Sequence, residues 1–278
     1  MRIPILGFHC HNITQIQEGI LENQLSRGEF YNFPLEDLAS LRKALDEHNL
    51  FRTIHAPLIK PEWYPDPPTW SFLCDVEPEH RNLTFKMITE TIDYAEEIGA
   101  EHIVVHFPIP CTDARDEPES ELEDIAWKSC EMLAELSESA EPMIHIEGLG
   151  NSPYLNNGFL MRALKQYPLR YCFDTGHMNL AAHMNQFDLY EFAAEVAPFV
   201  GSVHLWNNRG PEDYLKFRHI PVHPHQNSAE GWADIERLLR ILKPSYPVII
   251  ESPTRYPEAL GDYDYRDGIR WIRDILEE

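Results

Sequence analysis

Short runs of strand-forming residues alternate with longer stretches in which apolar side chains recur every three or four positions, and the alternation continues along the whole chain. The strand candidates are RIPILGF (2–8), EFYNF (29–33), LFRTIH (50–55), HIVVH (102–106), PMIHIE (142–147), RYCFD (170–174), GSVHL (201–205) and PVIIE (247–251). Between them lie apolar stripes: Leu38, Leu41 and Leu45; Phe85, Ile88, Ile92 and Ala95; Leu122, Ile125, Ser129, Leu133 and Leu136; Trp232, Ile235, Leu239 and Leu242; Tyr265, Ile269, Ile272 and Leu276. Such spacing puts one face of a helix against a neighbour. Further helices are expected near 13–26 and 156–166. Asp188 with Glu191 reads as a capped helix start, and Gly99 fits the left-handed position that ends a helix.

Repeated β-then-α units need crossover connections, which make the strands parallel and put helices outside them. Eight units predict a closed (β/α)₈ TIM barrel, a single domain over residues 1–278. The open doubly wound sheet is the alternative, but no GxGxxG turn follows the first strand. The Pro-rich KPEWYPDPPTWSF (60–72) reads as a long loop over the barrel mouth rather than a linker.

Composition narrows the function. The formal charge of −23 disfavours nucleic acid and anionic membrane surfaces as partners, because a phosphate binder draws its affinity from Lys and Arg. The acidic run DEPESELED (116–124) reads as a solvated helix start. Five widely spaced cysteines form no CxxC pair and predict reduced thiols, and no signal-peptide core is evident near the N-terminus. Together these predict a cytoplasmic protein without a membrane span.

The candidate chemistry lies at the strand ends. Strands three to eight finish in His55, His106, Glu147, Asp174, His204 and Glu251. In a (β/α)₈ barrel those ends converge on one face, the face that carries catalysis. Alternation supports the direction, since Cys172 with Asp174, Ser202 with His204 and Ile249 with Glu251 share a face in each strand. Three converging carboxylates repel one another, and divalent cations relieve the repulsion; two ions would leave a net charge of about +1. Mixed imidazole and carboxylate donors suit Zn²⁺ first, with Mn²⁺ or Co²⁺ behind it. His145, one layer below Glu147, is expected to pack or to support a ligand. His9 and His11 follow the first strand, where either could line the pocket, while His48, His80 and His102 suit surface or packing roles.

With these residues assembled, the chain resembles the xylose isomerase-like TIM barrel superfamily, in the branch shared by endonuclease IV and the sugar isomerases and epimerases. The landmarks are HAP (55–57), VVHFP (104–108), IHIEGLGNS (144–152), CFDTGHMN (172–179), VHLWN (203–207) and VIIES (248–252). The resemblance implies a core metal site of Glu147, Asp174, His204 and Glu251. In the endonuclease IV pattern Glu147 would also bridge to a second ion held by His55 and His106. A third ion in that pattern takes His177 and an Asp-x-His; here FRH (217–219) supplies His219 but places Phe217 at the aspartate position, with His223 or His225 as substitutes. One to three ions are therefore expected.

Two catalytic readings follow. The first is a metal-dependent isomerase or epimerase of a small sugar or sugar derivative, acting through a metal-stabilised enediolate, with Glu147 and Glu251 as the acid–base pair. His177, Arg209, His223 and His225 are its candidate substrate contacts. The second is endonuclease IV-like phosphodiester hydrolysis, of the AP endonuclease family 2 type. A barrel that binds sugar or metal without turnover is the non-enzymatic alternative. A small carbohydrate is the expected partner, and a homo-oligomer is compatible with the sequence.

Overall fold

The computed structural model describes residues 5–107, 119–149 and 158–278. Eight parallel strands follow one another around a closed barrel: β1 Leu6–Cys10, β2 Arg27–Phe30, β3 Phe51–His55, β4 His102–His106, β5 Met143–Glu147, β6 Arg170–Asp174, β7 Val200–Leu205 and β8 Val248–Ile250. β1 closes the ring on β8 through Leu6↔Val248 and Phe8↔Ile250. The expected (β/α)₈ architecture is therefore the observed one.

Alternation along each strand divides the barrel chemically. The outward residues, among them Phe8, Ile54, Ile103, Ile146, Phe173, Val203 and Ile250, are buried against helix residues such as Leu41, Ile88, Leu133, Leu164, Leu238 and Ile272. That layer is the hydrophobic core. The inward positions are largely polar: His9, Glu29, Thr53, His55, His102, His145, Glu147, Asp174, Ser202 and His204, all buried. Arg27, itself buried, pairs with Glu101 just before β4 and closes the N-terminal end.

Two strands differ from the sequence pattern. β1, Leu6–Cys10, runs on past residue 8, which puts His9 on the strand and inside the ring, while residues 2–4 of the expected run lie outside the described residues. β2 begins at Arg27 rather than 29 because its pairing with β1 starts at Phe8↔Gly28. It stops before Asn32, whose φ of 46° is incompatible with continuing a strand.

The helix expected over 13–26 is a short turn, Ile13–Gln15, followed by a wider π-type stretch, Ile16–Leu21. Gly19 faces the Phe8 ring so closely that a Cβ would stand 2.4 Å from it, so this segment lies directly on β1. The fifth helix spans Phe159–Gln166; residue 156 lies outside the described residues. Gly99 ends the helix Pro78–Ile98 at φ 66° as expected, and the Asp188 carboxylate accepts from the N–H groups of Tyr190 and Glu191 to start Leu189–Val196. Cys10, Cys74, Cys130 and Cys172 are free and buried, whereas Cys111 and residues 116–118 of the acidic run lie outside the described residues. No helix among the described residues is long and apolar enough to cross a membrane.

Candidate metal centre

Glu147, at the end of β5, is fully buried and stands between two groups of potential donors: His55, His106 and Glu147 itself, and Glu147, Asp174, His204 and Glu251. Within each group the donor atoms lie within 4.8 Å of one another. Strand termini create this convergence, because β3 to β6 each end on the residue concerned, His204 is the penultimate residue of β7, and Glu251 follows β8 directly, its N–H donating to the Leu205 carbonyl.

In the first group the second ring nitrogen is already engaged. His106 Nδ1 donates to the Thr69 carbonyl at 2.8 Å, and His55 Nδ1 to the Ala56 carbonyl at 3.2 Å, because a carbonyl can only accept. Both Nε2 atoms then face Glu147 Oε2, at 3.3 and 3.2 Å. Burial, reinforced by neighbouring His106, keeps His55 below the usual imidazole range even though the Glu147 hydrogen bond opposes it. A neutral ring would thus turn its lone pair on a carboxylate, an arrangement that needs a cation between them. For His106, burial is outweighed by the Glu147 carboxylate, so the imidazole is held above its usual value and its proton serves as that cation.

The second group surrounds His204. Its Nδ1 lies 2.9 Å from Glu251 Oε2, 3.5 Å from Glu147 Oε1 and 3.9 Å from Asp174 Oδ2. Although these atoms are close, neither ring nitrogen of His204, nor Glu251 Oε2, has hydrogen-bond geometry with a partner. Buried polar atoms are normally paired, so this is the pattern expected of a metal donor set.

Asp174 is oriented by its role at the start of the helix Thr175–Asn185, where Oδ1 accepts from the His177 N–H at 2.6 Å while Oδ2 accepts from Trp206 Nε1 at 2.8 Å. Trp206 can reach it because residue 176 is glycine; a Cβ there would stand 2.2 Å from the indole.

The electrostatics express crowding. Burial, then the Glu147 and Glu251 carboxylates, push Asp174 well above the usual carboxylate range. Burial also works against ionised Glu147, but the imidazoles of His204 and His106 outweigh it and hold this carboxyl well below. The same contest at Glu251 ends low, chiefly through His204. His204 itself is driven well above the imidazole range, with burial overcome by Cys172, Glu29, Glu251 and Glu147. A divalent ion would take over the neutralising role of these protons, and the donor set fits one.

Of these groups His55, His106 and Glu251 open into a cavity of about 710 Å³. His9, His11, His55, His106, His177 and His219 line it, with Tyr31, Arg218 and Glu251, and with Thr69, Trp70 and Phe72 from the loop expected over the mouth. His177 and His219 face each other edge-on, 5.7 Å between ring centres, and belong to neither donor group. His219 stacks on Trp206 and engages the Glu251 carbonyl through Nδ1 at 3.0 Å. Burial lowers His177 to about 3. Phe217 packs against Ile220, Trp232 and Tyr256, so it supplies no ligand.

Three expected substrate contacts do not line this cavity. Arg209 is held by Asp213, four residues ahead at the start of Pro211–Phe217, with Nε to Oδ2 at 2.6 Å, and lies over Trp232. His223 and His225 stack together among Tyr256 and Tyr263, and neither joins the donors that His177 and His219 offer. Arg218 is the arginine that lines the cavity, on a backbone at φ 60°, ψ −129°. Sequence reasoning also missed Glu29, which sits 2.9 Å from His204 Nε2. The signal available was the alternation of Arg27 and Glu29 once the strand starts at 27.

By sequence alone no curated protein matches the chain significantly. Its structure is similar to that of a D-tagatose 3-epimerase-like protein, with 20% identity over 98% of this chain and 97% of that one and a TM-score of 0.72. An L-ribulose 3-epimerase is similar at 13% identity, over 99% and 95% of the two chains, with a TM-score of 0.68. Endonuclease IV from Thermus thermophilus is similar at 18% identity, over 99% of each chain, with a TM-score of 0.58. The family model described as xylose isomerase-like TIM barrel matches residues 13–275. This chain therefore belongs to the xylose isomerase-like TIM barrel family.

Proposed function

We propose that the protein is a metal-dependent isomerase or epimerase of a small sugar or sugar derivative. The observation that carries the reading is the quartet Glu147, Asp174, His204 and Glu251, of which the half-buried Glu251 lines a cavity large enough for such a ligand. Those four residues would hold one divalent ion, Zn²⁺ ranking ahead of Mn²⁺ and Co²⁺, and His55 with His106 would add a second through Glu147. Bound there, such an ion supplies positive charge against the oxygen anion that develops when a neighbouring carbon loses its proton.

The chain's own residues do the rest. Glu251 is the more accessible glutamate, with 15% of its side chain exposed against 1% for Glu147, and takes or returns the carbon-bound proton from the cavity side. Glu147 serves the opposite face. His177, His219 and Arg218 contact substrate oxygens, while Trp70 and Phe72 exclude water from one wall. The similarity to an L-ribulose 3-epimerase and to a D-tagatose 3-epimerase-like protein supports this reading.

Phosphodiester hydrolysis is the second reading. It is favoured by the second donor group, because paired ions sharing a carboxylate suit in-line displacement. The charge of −23, and a single arginine among the described residues that line the cavity, speak against a nucleic-acid duplex.

Incubation of the metal-reconstituted protein with a panel of ketoses in D₂O tests the choice. Carbon-bound deuterium in recovered sugar, abolished by chelation, is the expected result. Cleavage of an abasic-site duplex without any such exchange would overturn the ranking.

A further inference from the structure

We propose that Glu29 is the positioning residue that fixes the tautomer of His204 and so aims its Nδ1 at the metal quartet. The inference rests on the metal reading above and adds a residue outside the two donor groups.

Glu29 lies on the inward face of β2 and is fully buried. Its Oε1 is 2.9 Å from His204 Nε2 and 3.3 Å from His9 Nδ1. Its other oxygen accepts from the Thr53 hydroxyl at 3.2 Å and faces His102 Nε2 at 3.9 Å. A carboxylate in so dry a place is costly unless its neighbours donate to it. His204 has two ring nitrogens with opposite surroundings, since Nδ1 faces Glu251, Glu147 and Asp174 while Nε2 faces Glu29 alone among these carboxylates. His204 Nε2 and Glu29 Oε1 stand 2.9 Å apart but are not in line as donor and acceptor; hydrogen on Nε2 is the arrangement that sets a donor against this carboxylate and leaves the Nδ1 lone pair for a cation. A carboxylate behind an imidazole also strengthens that nitrogen as a ligand. The Thr53 hydroxyl donates to Glu29 and the His9 ring stands beside it, so β1 and β3 place this carboxylate on β2.

The test compares wild type with Glu29→Gln and Glu29→Asp, using Zn²⁺ affinity by chelator competition and the visible spectrum of the Co²⁺-loaded protein. Glu29→Gln keeps the shape but permits either tautomer. We expect its Zn²⁺ affinity to fall about 10–100-fold with a shifted Co²⁺ spectrum, and Glu29→Asp to restore part of the loss. A purely structural role would lower the denaturation midpoint of the metal-free protein without moving the Co²⁺ spectrum, and that result overturns the proposal. So does a Gln variant that binds Zn²⁺ as wild type does. Should neither variant fold, long-range ¹H–¹⁵N correlation on the Zn²⁺-loaded wild type decides. Hydrogen on His204 Nε2 supports the assignment, and hydrogen on Nδ1 refutes it. Wild type that takes up no Zn²⁺ overturns the metal reading as well; wild type that binds while Glu29→Gln matches it overturns the role of Glu29 alone.

Discussion

The barrel holds two layers of buried imidazoles that behave differently. At the rim, His55, His106 and His204 turn ring nitrogens toward carboxylates, and both nitrogens of His204 lack hydrogen-bond geometry. One layer lower, His102 and His145 stack face to face with ring centres 3.9 Å apart, and His145 Nδ1 is 2.9 Å from the Ser202 hydroxyl. Residue type is the same in both layers, and burial is similar except at the half-buried His106. What differs is the distance to negative charge: the Ser202 hydroxyl engages His145 and the lower rings stack on each other with Glu29 3.9 Å from His102 Nε2, whereas each rim ring stands within 3.3 Å of a carboxylate oxygen. A ligand site is therefore identified by what a nitrogen faces, not by the histidine itself.

The strongest way to break this contrast is Glu147→Gln against His145→Asn. Glu147 belongs to both donor groups, so its neutralisation should empty the centre and lower turnover by about 10²–10⁴-fold, the range for losing a general acid or base. His145→Asn should leave bound metal, measured by mass spectrometry of the purified protein, at the wild-type level. Equal metal loss in the two variants would show that the layers form one unit.

Much of this contrast can be read along the chain, and the reasons for the remainder are specific. β3 to β8 lie within about a residue of their apolar runs because each is bounded by polar punctuation, and this brings six chemically active residues to one rim. β1 and β2 lack such bounds. The run RIPILGF continues into His9 and Cys10 without a turn signal, and EFYNF conceals that the pairing starts earlier, at Gly28. A shift of two keeps the parity of a strand but moves a residue along the barrel axis, so Glu29 reads as a strand start far from the rim rather than as a neighbour of His204. Arg209 illustrates a different limit. Whether a loop arginine reaches the cavity depends on its competitors, and Asp213 at a spacing of four was the cue that it would turn away.

Glycines offer a finer comparison, because each layer depends on one. Gly176 leaves room for Trp206, and a Cβ at Gly201 would stand 2.7 Å from His145 Cε1. Alanine at either position should cost about 1–3 kcal/mol, the range for overpacking a filled interior, read from denaturant midpoints. Only Gly176→Ala should also weaken Zn²⁺ binding, since a displaced Trp206 no longer donates to Asp174. Weakened binding in Gly201→Ala as well would mean that the stacked pair braces the rim.

The smallest effect separates the layers by pH. An unfolded histidine titrates near 6.5. In the folded protein burial, opposed by Glu29 and aided by Arg27 and His204, lowers His102 to about 3. Between those values the unfolded chain binds a proton that the folded chain refuses. The stability from a neutral His102 is therefore complete above pH 6.5 and declines as pH falls toward 3, by about 1.4 kcal/mol per pH unit. Urea denaturation of metal-free His102→Asn and wild type at pH 7 and pH 5 isolates this contribution, because the rim groups are common to both. The variant should lose less stability than wild type on acidification. Equal losses would place the acid sensitivity of this barrel in its rim carboxylates and imidazoles, and the lower layer would then be a spacer rather than a buried pair that must stay neutral.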